Sequence, residues 1–418
     1  MGTAKRLESI SSIGQIVNEF YTEYNKSNIE RKTNCRIIGY PLPHVILRSH
    51  DINYMYLPSY AATTAARHIA ERLHQYAEEK GLLREVCSYV RANLGCAYAG
   101  EDGISELGPL YTMPKPDFIL VTESCCSMTI NWGDAERRIY KVPLFITHGP
   151  FLWDDTKADE EDAVIEMVRQ LRELITFLED ITHRRFDWDK YKQTMAIAKE
   201  TAKLRMETMD IACQTVPSPA TLFDWTAMLG VVNYTLGLPA GLDTAARVRE
   251  EVLSRIKRRE GALSHEKYRL YWDGIMMWPY LGKLSKKCND LNVNLIWSRY
   301  CSLSFWQNPE LIDIDHPLES NARQIVNLHF NRNIDWLINK VTELCQRYHI
   351  DGMITHANLT CRTMAGPQLE LMDAVSRRLG IPAVYFEGDM ADSSLISESQ
   401  LDTRLQALLE TIDSRRNK

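Results

Sequence analysis

Two adjacent cysteines, Cys125 and Cys126, stand just after a short apolar segment. That segment, Phe118-Ile-Leu-Val-Thr122, has the β-branched and aromatic composition of a buried strand. In an open α/β sheet, ligands collect at the carboxyl ends of the strands. Because a thiolate can bind a soft metal or act as a nucleophile, the stretch from Lys115 to Trp132 is a candidate site for either chemistry.

Cys87 and Cys361 share the setting of Cys126, because each follows a predicted element and has polar or glycine-rich neighbours. No CxxC spacing occurs among the ten cysteines, which argues against zinc-ribbon and ferredoxin-type motifs. Six of the other cysteines are expected to be small buried hydrophobes. These are Cys35, Cys96, Cys213, Cys288, Cys301 and Cys345. Spacing alone does not decide whether Cys87, Cys126 and Cys361 converge.

The composition is typical of a globular protein and does not indicate a nucleic-acid partner or a membrane span. A chain of 418 residues is too long for one ordinary core, so two or three domains are expected. The formal net charge of −6 and the pI near 6.0 argue against a nucleic-acid partner. No window approaches the roughly 18 apolar residues of a membrane span, and the N-terminus lacks the apolar core of a signal peptide. We therefore expect a cytoplasmic protein.

The first of three predicted sections, residues 1–150, is an α/β domain that begins with a lead helix. Its apolar strand segments alternate with helical ones, as in a mostly parallel sheet covered on both faces. Ala61 to Gly81 has the composition of one alanine-rich helix. The glycine- and proline-containing stretch from Gly95 to Pro116 is predicted to be a loop that leads into the strand before Cys126.

The other two sections are a helical section, residues 151–267, and a second α/β domain, residues 268–418. The helical section has long helical periods and no convincing strand pattern. The last section contains a strand at Gly352–Thr355, a helix at Gln368–Leu379 capped by Gly380, and a strand at Ile381–Phe386. The predicted fold class is therefore α/β, with two doubly wound parallel-sheet domains flanking a helical section.

Around Cys87, Cys126 and Cys361 the sequence resembles the family of 2-hydroxyacyl-CoA dehydratases and ATP-dependent benzoyl-CoA reductases, specifically the larger cluster-bearing subunit. The matching segments occur in order along nearly the whole chain. They are Cys87–Gly95, Met113–Leu120, Cys126 with Trp132 six residues later, Val142–Phe145, Trp272–Ile275, His356–Arg362, Gly380–Pro382, Glu387–Asp392, Ser397–Gln400 and Arg404.

The resemblance implies that Cys87, Cys126 and Cys361 hold a [4Fe-4S] cluster with one iron left open to water or to a thioester carbonyl. It implies one-electron chemistry on a CoA thioester through a ketyl radical, leading to dehydration or to ring reduction. The electrons would come from a separate activator protein that hydrolyses ATP. The implied assembly is a heterodimer with a smaller homologous subunit.

The sequence departs from the family pattern where substrate chemistry is expected. Val45 and Pro58 stand at positions where the family usually has glutamate, and Ser394 stands where it usually has arginine. Among the nearby polar residues, His44, Ser59 and His148 are candidate catalytic residues, because histidine suits proton transfer near neutral pH and serine carries a hydroxyl. His356 is a further polar candidate, which would either support the cluster through a hydrogen bond or cap a strand.

Two alternatives remain open at this point. The chain could be a non-catalytic cluster-bearing or scaffold subunit whose partner supplies the active site. It could also resemble the double-cubane cluster reductases related to this family, with Cys125 as an additional ligand. Adjacent side chains of an extended segment point in opposite directions, so Cys125 is expected to be buried rather than to share one metal with Cys126.

Overall fold

The computed structural model describes residues 5–40, 43–104, 113–124, 126–154, 156–303 and 306–417. It confirms the predicted fold class, because two four-stranded parallel sheets flank a set of long helices. One continuous apolar core joins the first sheet, the long helices and the second sheet, through residues such as Ile37, Met195 and Leu270.

The first sheet has the strand order β2-β1-β3-β4, and all its pairs are parallel. Its elements in chain order are α1 (Ile13–Asn25), β1 (Asn34–Gly39), α2 (His44–Ser49), β2 (Asn53–Tyr56), α3 (Leu57–Ala66), α4 (Ala70–Glu79), α5 (Ser88–Ile104), β3 (Phe118–Glu123), α6 (Met128–Tyr140) and β4 (Leu144–His148). Every residue of β1 is buried, as is every residue of β3 except Glu123. The run Phe118–Val121 of β3 is accordingly apolar, whereas β1 also buries Arg36, which is paired with Glu136 at 2.6 Å.

The middle helices are α7 (Lys157–Thr182), α8 (Trp188–Gln214), α9 (Leu222–Thr235) and α10 (Pro239–Lys257). Side chains cap the N-termini of α7 and α9: Thr156 accepts from the Asp159 N–H, and Thr221 forms a capping box with Asp224. No helix in the described ranges is long and apolar enough to cross a membrane. The domain divisions after residues 150 and 267 stay predictions.

The second sheet repeats the topology of the first, with the order β6-β5-β7-β8 and parallel pairs throughout. Its elements are β5 (Tyr268–Asp273), α11 (Leu281–Asp290), β6 (Val293–Trp297), α12 (Arg299–Ser302), α13 (Pro317–Val326), α14 (Ile334–Arg347), β7 (Gly352–Asn358), α15 (Arg362–Ala365), α16 (Gln368–Leu379), β8 (Ala383–Gly388) and α17 (Glu398–Arg416). Cys126 follows β3 and Cys361 follows β7, so the two cysteines occupy equivalent places in the two sheets. In this topology those places lie beside the point where the strand order reverses, which is where open α/β sheets bind ligands.

Two local predictions are wrong. The helix expected from Ala61 to Gly81 is interrupted between α3 and α4, where His68 adopts a left-handed backbone conformation with φ of 58°. The loop expected from Gly95 to Pro116 is wrong in its first part, because residues 95–104 belong to α5, whereas residues 105–112 lie outside the described residues. Gly95 is required there by helix packing, because a Cβ atom at this position would overlap the backbone carbonyl of Leu73 on α4.

Candidate metal centre

Cys87, Cys126 and Cys361 line one cavity between the two sheets. This inner cavity has a volume of about 110 Å³ and walls of mainly aromatic and methionine side chains. The same three cysteines also line an outer cavity of about 690 Å³, which includes Glu123 and Phe151. The structure therefore brings together the three thiols that the sequence identified in separate segments.

Each of the three cysteines is half-buried and stands just before a helix. Burial raises the pKa of the Cys87 thiol, with a further contribution from the nearby Cys361. Burial likewise raises the pKa of Cys361 to about 12. Backbone N–H groups act in the opposite direction, those of Val90 and Tyr89 on Cys87 and that of Met364 on Cys361. Since metal ligation requires thiolates, metal binding at this site would release protons.

The spacing of these thiols does not suit a single ion. Within the described residues, no group of three His, Cys, Asp or Glu side chains is close enough to hold one metal ion. A single zinc ion with Zn–S bonds of about 2.3 Å would need thiolates only about 3.8 Å apart. An iron–sulfur cluster is larger, because each thiolate binds a different iron. Three thiols around an apolar cavity are a donor set that fits such a cluster.

Hydrogen bonds tie the segments of Cys87 and Cys361 to each other. The Thr360 hydroxyl accepts from the Ser88 backbone N–H at 3.1 Å and donates to the buried Asp389 carboxylate at 2.6 Å. The other Asp389 oxygen accepts from the N–H groups of Ala391 and Asp392, both at 2.9 Å. Asp389 is fully buried, and all of these groups satisfy its charge.

A buried ion pair next to this network also joins the two sheets. Arg91 on α5 donates to Asp392 at 2.8 Å, and its guanidinium is fully buried. Burial by itself would raise the pKa of Asp392, but hydrogen bonds from Ser394 and Arg91 together with the Arg91 charge hold it below its usual value. The carboxylate is thus maintained in its charged form where α5 meets the loop after β8.

His44 and Ser59 do not lie at the cysteines. His44 is fully buried between the rings of Tyr54 and Trp306, and neither ring nitrogen has a hydrogen-bond partner within the described residues. Burial, followed by the nearby Arg48, holds its pKa well below the usual value. Ser59 lines a different, larger cavity. The catalytic roles assigned to both residues stay predictions.

His148 is the predicted catalytic residue that lies beside the outer cavity. Its side chain is 60% exposed, and its Nδ1 is 3.2 Å from the Glu123 carboxylate that lines the outer cavity. His356, in contrast, is fully buried in β7. Its Nδ1–H donates to the Ile275 carbonyl at 2.8 Å, and burial lowers its pKa to about 4. His356 is therefore a neutral, structurally fixed ring in the sheet.

The positions that depart from the family pattern lie in different surroundings. Val45 is fully buried in α2, whereas Pro58 lines the inner cavity. Ser394 accepts a hydrogen bond from Arg84 at 2.6 Å, so a cation does stand beside this position. Sequence reasoning missed Arg84, because the residue comes from the distant segment between α4 and α5 and has no local signal.

The other cysteines agree with the expectation of buried thiols. Cys35, Cys96, Cys213, Cys288, Cys301 and Cys345 are all buried. Burial raises the pKa of Cys301 to about 11 and that of Cys288 to about 12. Cys125 lies outside the described residues, so its expected burial and its alternative role as an additional ligand both stay predictions.

The fold and the site together define a class: a parallel α/β protein whose two similar sheets share a three-cysteine site between them. The chain belongs to the family described as 2-hydroxyglutaryl-CoA dehydratase, D-component, whose model matches residues 42–412. The resemblance predicted from the sequence motifs is thereby confirmed.

Several characterised proteins are similar over most of this chain. The (R)-2-hydroxyisocaproyl-CoA dehydratase alpha subunit of Clostridioides difficile is 27% identical over 410 residues, covering 96% of each chain. The (R)-phenyllactyl-CoA dehydratase alpha subunit of Clostridium sporogenes is 27% identical and covers 88% of this chain and 87% of its own. A benzoyl-CoA reductase subunit of Thauera aromatica is 24% identical, covering 82% and 80%. The names confirm the prediction of a subunit of the dehydratase or reductase class.

Proposed function

We propose that this chain is the iron–sulfur subunit of an acyl-CoA dehydratase or reductase, with a [4Fe-4S] cluster held by Cys87, Cys126 and Cys361. The observation that carries the proposal is the convergence of these three thiols on the inner cavity. Membership of the family supports it. The partners proposed are a smaller homologous subunit, an ATP-hydrolysing activator that supplies single electrons, and a CoA thioester.

When bound, such a cluster would supply a Lewis acid and a one-electron relay, which is the chemistry that a ketyl-radical reaction of a thioester would require. The chain's own contribution is to shape a dry site around the reacting group. Tyr56, Trp132 and Phe330 line the inner cavity, and no charged side chain lines it among the described residues. Water exclusion of this kind strengthens electrostatic interactions inside the site.

Proton transfer would take place at the outer cavity. Glu123 lines that cavity, and His148 contacts its carboxylate at 3.2 Å. A carboxylate that contacts an imidazole can hold the ring in one tautomer and orientation. We assign the pair the role of holding the proton that a leaving hydroxyl or a reduced ring carbon would take up.

One observation favours the alternative of a non-catalytic, cluster-bearing subunit. Pro58 lines the inner cavity at a position where the family resemblance places a glutamate. The inner cavity therefore lacks the acid expected there, and the partner subunit would have to supply it. The two functions differ in their response to a CoA thioester: an enzyme subunit changes its visible spectrum when the thioester is added, whereas a scaffold subunit does not.

The proposal is tested by measuring iron and sulfide per chain after anaerobic isolation. We expect about four irons in the wild type, loss of the cluster in Cys126→Ala, and retention in the matched control Cys345→Ala, whose thiol is buried on α14. Cys125→Ala is also expected to retain the iron. A colourless wild-type protein without iron would overturn the proposal.

A further inference from the structure

A third cavity, of about 480 Å³, lies beside the inner cavity and is distinct from the outer one. This side cavity is formed by α1, α3, α9 and the start of α11. Its volume is within the range of about 300–1,000 Å³ that is usual for small-molecule sites. Nothing in the proposed chemistry at the cysteines uses this space.

Three residues, Tyr56, Pro58 and Tyr300, line both the side cavity and the inner cavity. Hydrogen bonding holds Tyr300 in place: the Trp278 indole N–H donates to the Tyr89 hydroxyl, which is also hydrogen-bonded to Tyr300. A molecule that occupies the side cavity therefore lies next to the space that the three cysteines line.

The walls of the side cavity suit an uncharged ligand. Among the described residues that line it, Arg6 alone is charged, and its side chain is 59% exposed and 3.8 Å from Asp224. A carboxylate inside the cavity would have no buried cation to pair with, and an unpaired buried charge costs several kcal/mol or more. The lining otherwise consists of aliphatic, aromatic and neutral polar side chains.

Asn233 is a buried polar residue of this lining and is only 5% exposed. Its Nδ2 donates to the Ser59 hydroxyl at 2.7 Å, and its Oδ1 is buried without a hydrogen-bond partner among the described residues. The polar side chains that line the cavity beside it, such as Ser59, are likewise uncharged.

We infer that the side cavity receives the acyl chain of the thioester, and that the chain it accepts carries no charge. The inference rests on the proposed function, because only that function places a thioester at the cysteines. The acyl group would extend from the inner cavity past Tyr56, Pro58 and Tyr300 into the side cavity. Thioesters with a carboxylate on the acyl chain would be rejected.

The test compares two four-carbon thioesters, butyryl-CoA and succinyl-CoA, by equilibrium dialysis against the anaerobically isolated protein, with free CoA as reference. We expect butyryl-CoA to bind at least about tenfold more tightly than succinyl-CoA, a difference of about 1.4 kcal/mol. Equal binding of the two thioesters would overturn the inference.

Variants that fill the side cavity from opposite walls test its location. Ala62→Phe on α3 and Ala227→Phe on α9 are each expected to weaken butyryl-CoA binding at least about tenfold without lowering the iron content. The second variant keeps the test valid if the first does not fold, because Ala227 is less buried. The matched control is Ala407→Phe, at an exposed site on α17, which is expected to bind like the wild type.

Failure of this inference and failure of the proposed function give different results. If the protein contained iron but bound butyryl-CoA and succinyl-CoA equally well, only the inference would be overturned. If the protein contained no iron but bound butyryl-CoA more tightly than succinyl-CoA, the proposed function would be overturned and the acyl site would be supported. If the filling variants lost a co-purifying subunit while butyryl-CoA still bound, the side cavity would be a subunit interface, and the inference would be wrong.

Discussion

The Thr360 hydroxyl accepts a hydrogen bond from the Ser88 backbone N–H at 3.1 Å, and this contact joins the residue before Cys361 to the residue after Cys87. The two segments belong to different sheets, so the contact is a polar link that helps to set the separation of their thiols. Asp389 completes the link by accepting from the same hydroxyl at 2.6 Å. A metal centre shared between two sheets needs such a link, because the ligand geometry must be fixed by surrounding hydrogen bonds.

Thr360→Val tests this link. The substitution keeps the shape of the side chain but removes the hydroxyl, which leaves a buried carboxylate short of one donor. We expect the free energy of unfolding to fall by about 1–3 kcal/mol and the iron content to fall with it. Denaturant unfolding and iron analysis are the measurements.

The control for Thr360→Val is Thr403→Val, on the exposed face of α17, where the hydroxyl donates to the Ser399 carbonyl of the same helix. This variant should have wild-type stability and iron content. If Thr360→Val behaved in the same way, the link would have no role in holding the site.

Asp389→Asn tests whether the buried carboxylate affects the electronic properties of the proposed cluster. Asp389 is close enough to contribute to the raised pKa of both Cys87 and Cys361, although burial is the main cause for each. A reduced cluster carries one more negative charge than an oxidised one, so removing a neighbouring negative charge favours reduction. We expect a higher midpoint potential, measured by redox titration followed with electron paramagnetic resonance.

Asp335→Asn, at an exposed position on α14, is the control for the midpoint potential and should leave it unchanged. An unchanged potential in Asp389→Asn, in a protein with full iron content, would show that the carboxylate has only a structural role.

His356 makes stability depend on pH in a defined window. In the unfolded chain a histidine titrates near pH 6.5, whereas burial lowers the pKa of His356 to about 4 in the folded protein. Between these values the unfolded state binds a proton that the folded state does not bind. The free energy of unfolding therefore falls as the pH falls from about 6.5 to about 4, by about 3 kcal/mol from this residue.

His356→Asn removes the titrating group while keeping a donor for the Ile275 carbonyl. The difference in unfolding free energy between wild type and variant should therefore shrink as the pH falls through this window. The exposed His349→Asn is the control, and its difference from wild type should stay constant. A constant difference for His356→Asn as well would mean that His356 is protonated in the folded state.

His44→Leu decides between a catalytic and a core role for His44. Both ring nitrogens are buried without partners in the described part of the chain, so an apolar side chain should suit the site at least as well. We expect the free energy of unfolding to stay the same or to rise by about 1 kcal/mol, and iron content and butyryl-CoA binding to be retained. Loss of turnover in a stable, iron-containing variant would instead support the catalytic prediction.

Local signals predicted many elements well. The helix at Gln368–Leu379 was predicted with its bounds, because it combines helical periodicity with Gly380, which adopts the left-handed conformation with φ of 67°. The break between α3 and α4 was missed, because it depends on the left-handed His68 rather than on a glycine or proline. Gly95, inside α5, was misread as the start of a loop, because it serves a contact with Leu73 that no local pattern contains.

The sequence by itself determined the α/β class, the strands that precede Cys126 and Cys361, and the family to which the chain belongs. These features depend on periodicity, turn residues and short motifs, which are local along the chain. Only the tertiary structure decided that three distant thiols line one cavity, that Thr360 bonds Ser88, and that Tyr56, Pro58 and Tyr300 line both the inner and the side cavity. Such relationships arise from crossover connections and from the packing of one sheet against another, and neither is encoded in any single segment.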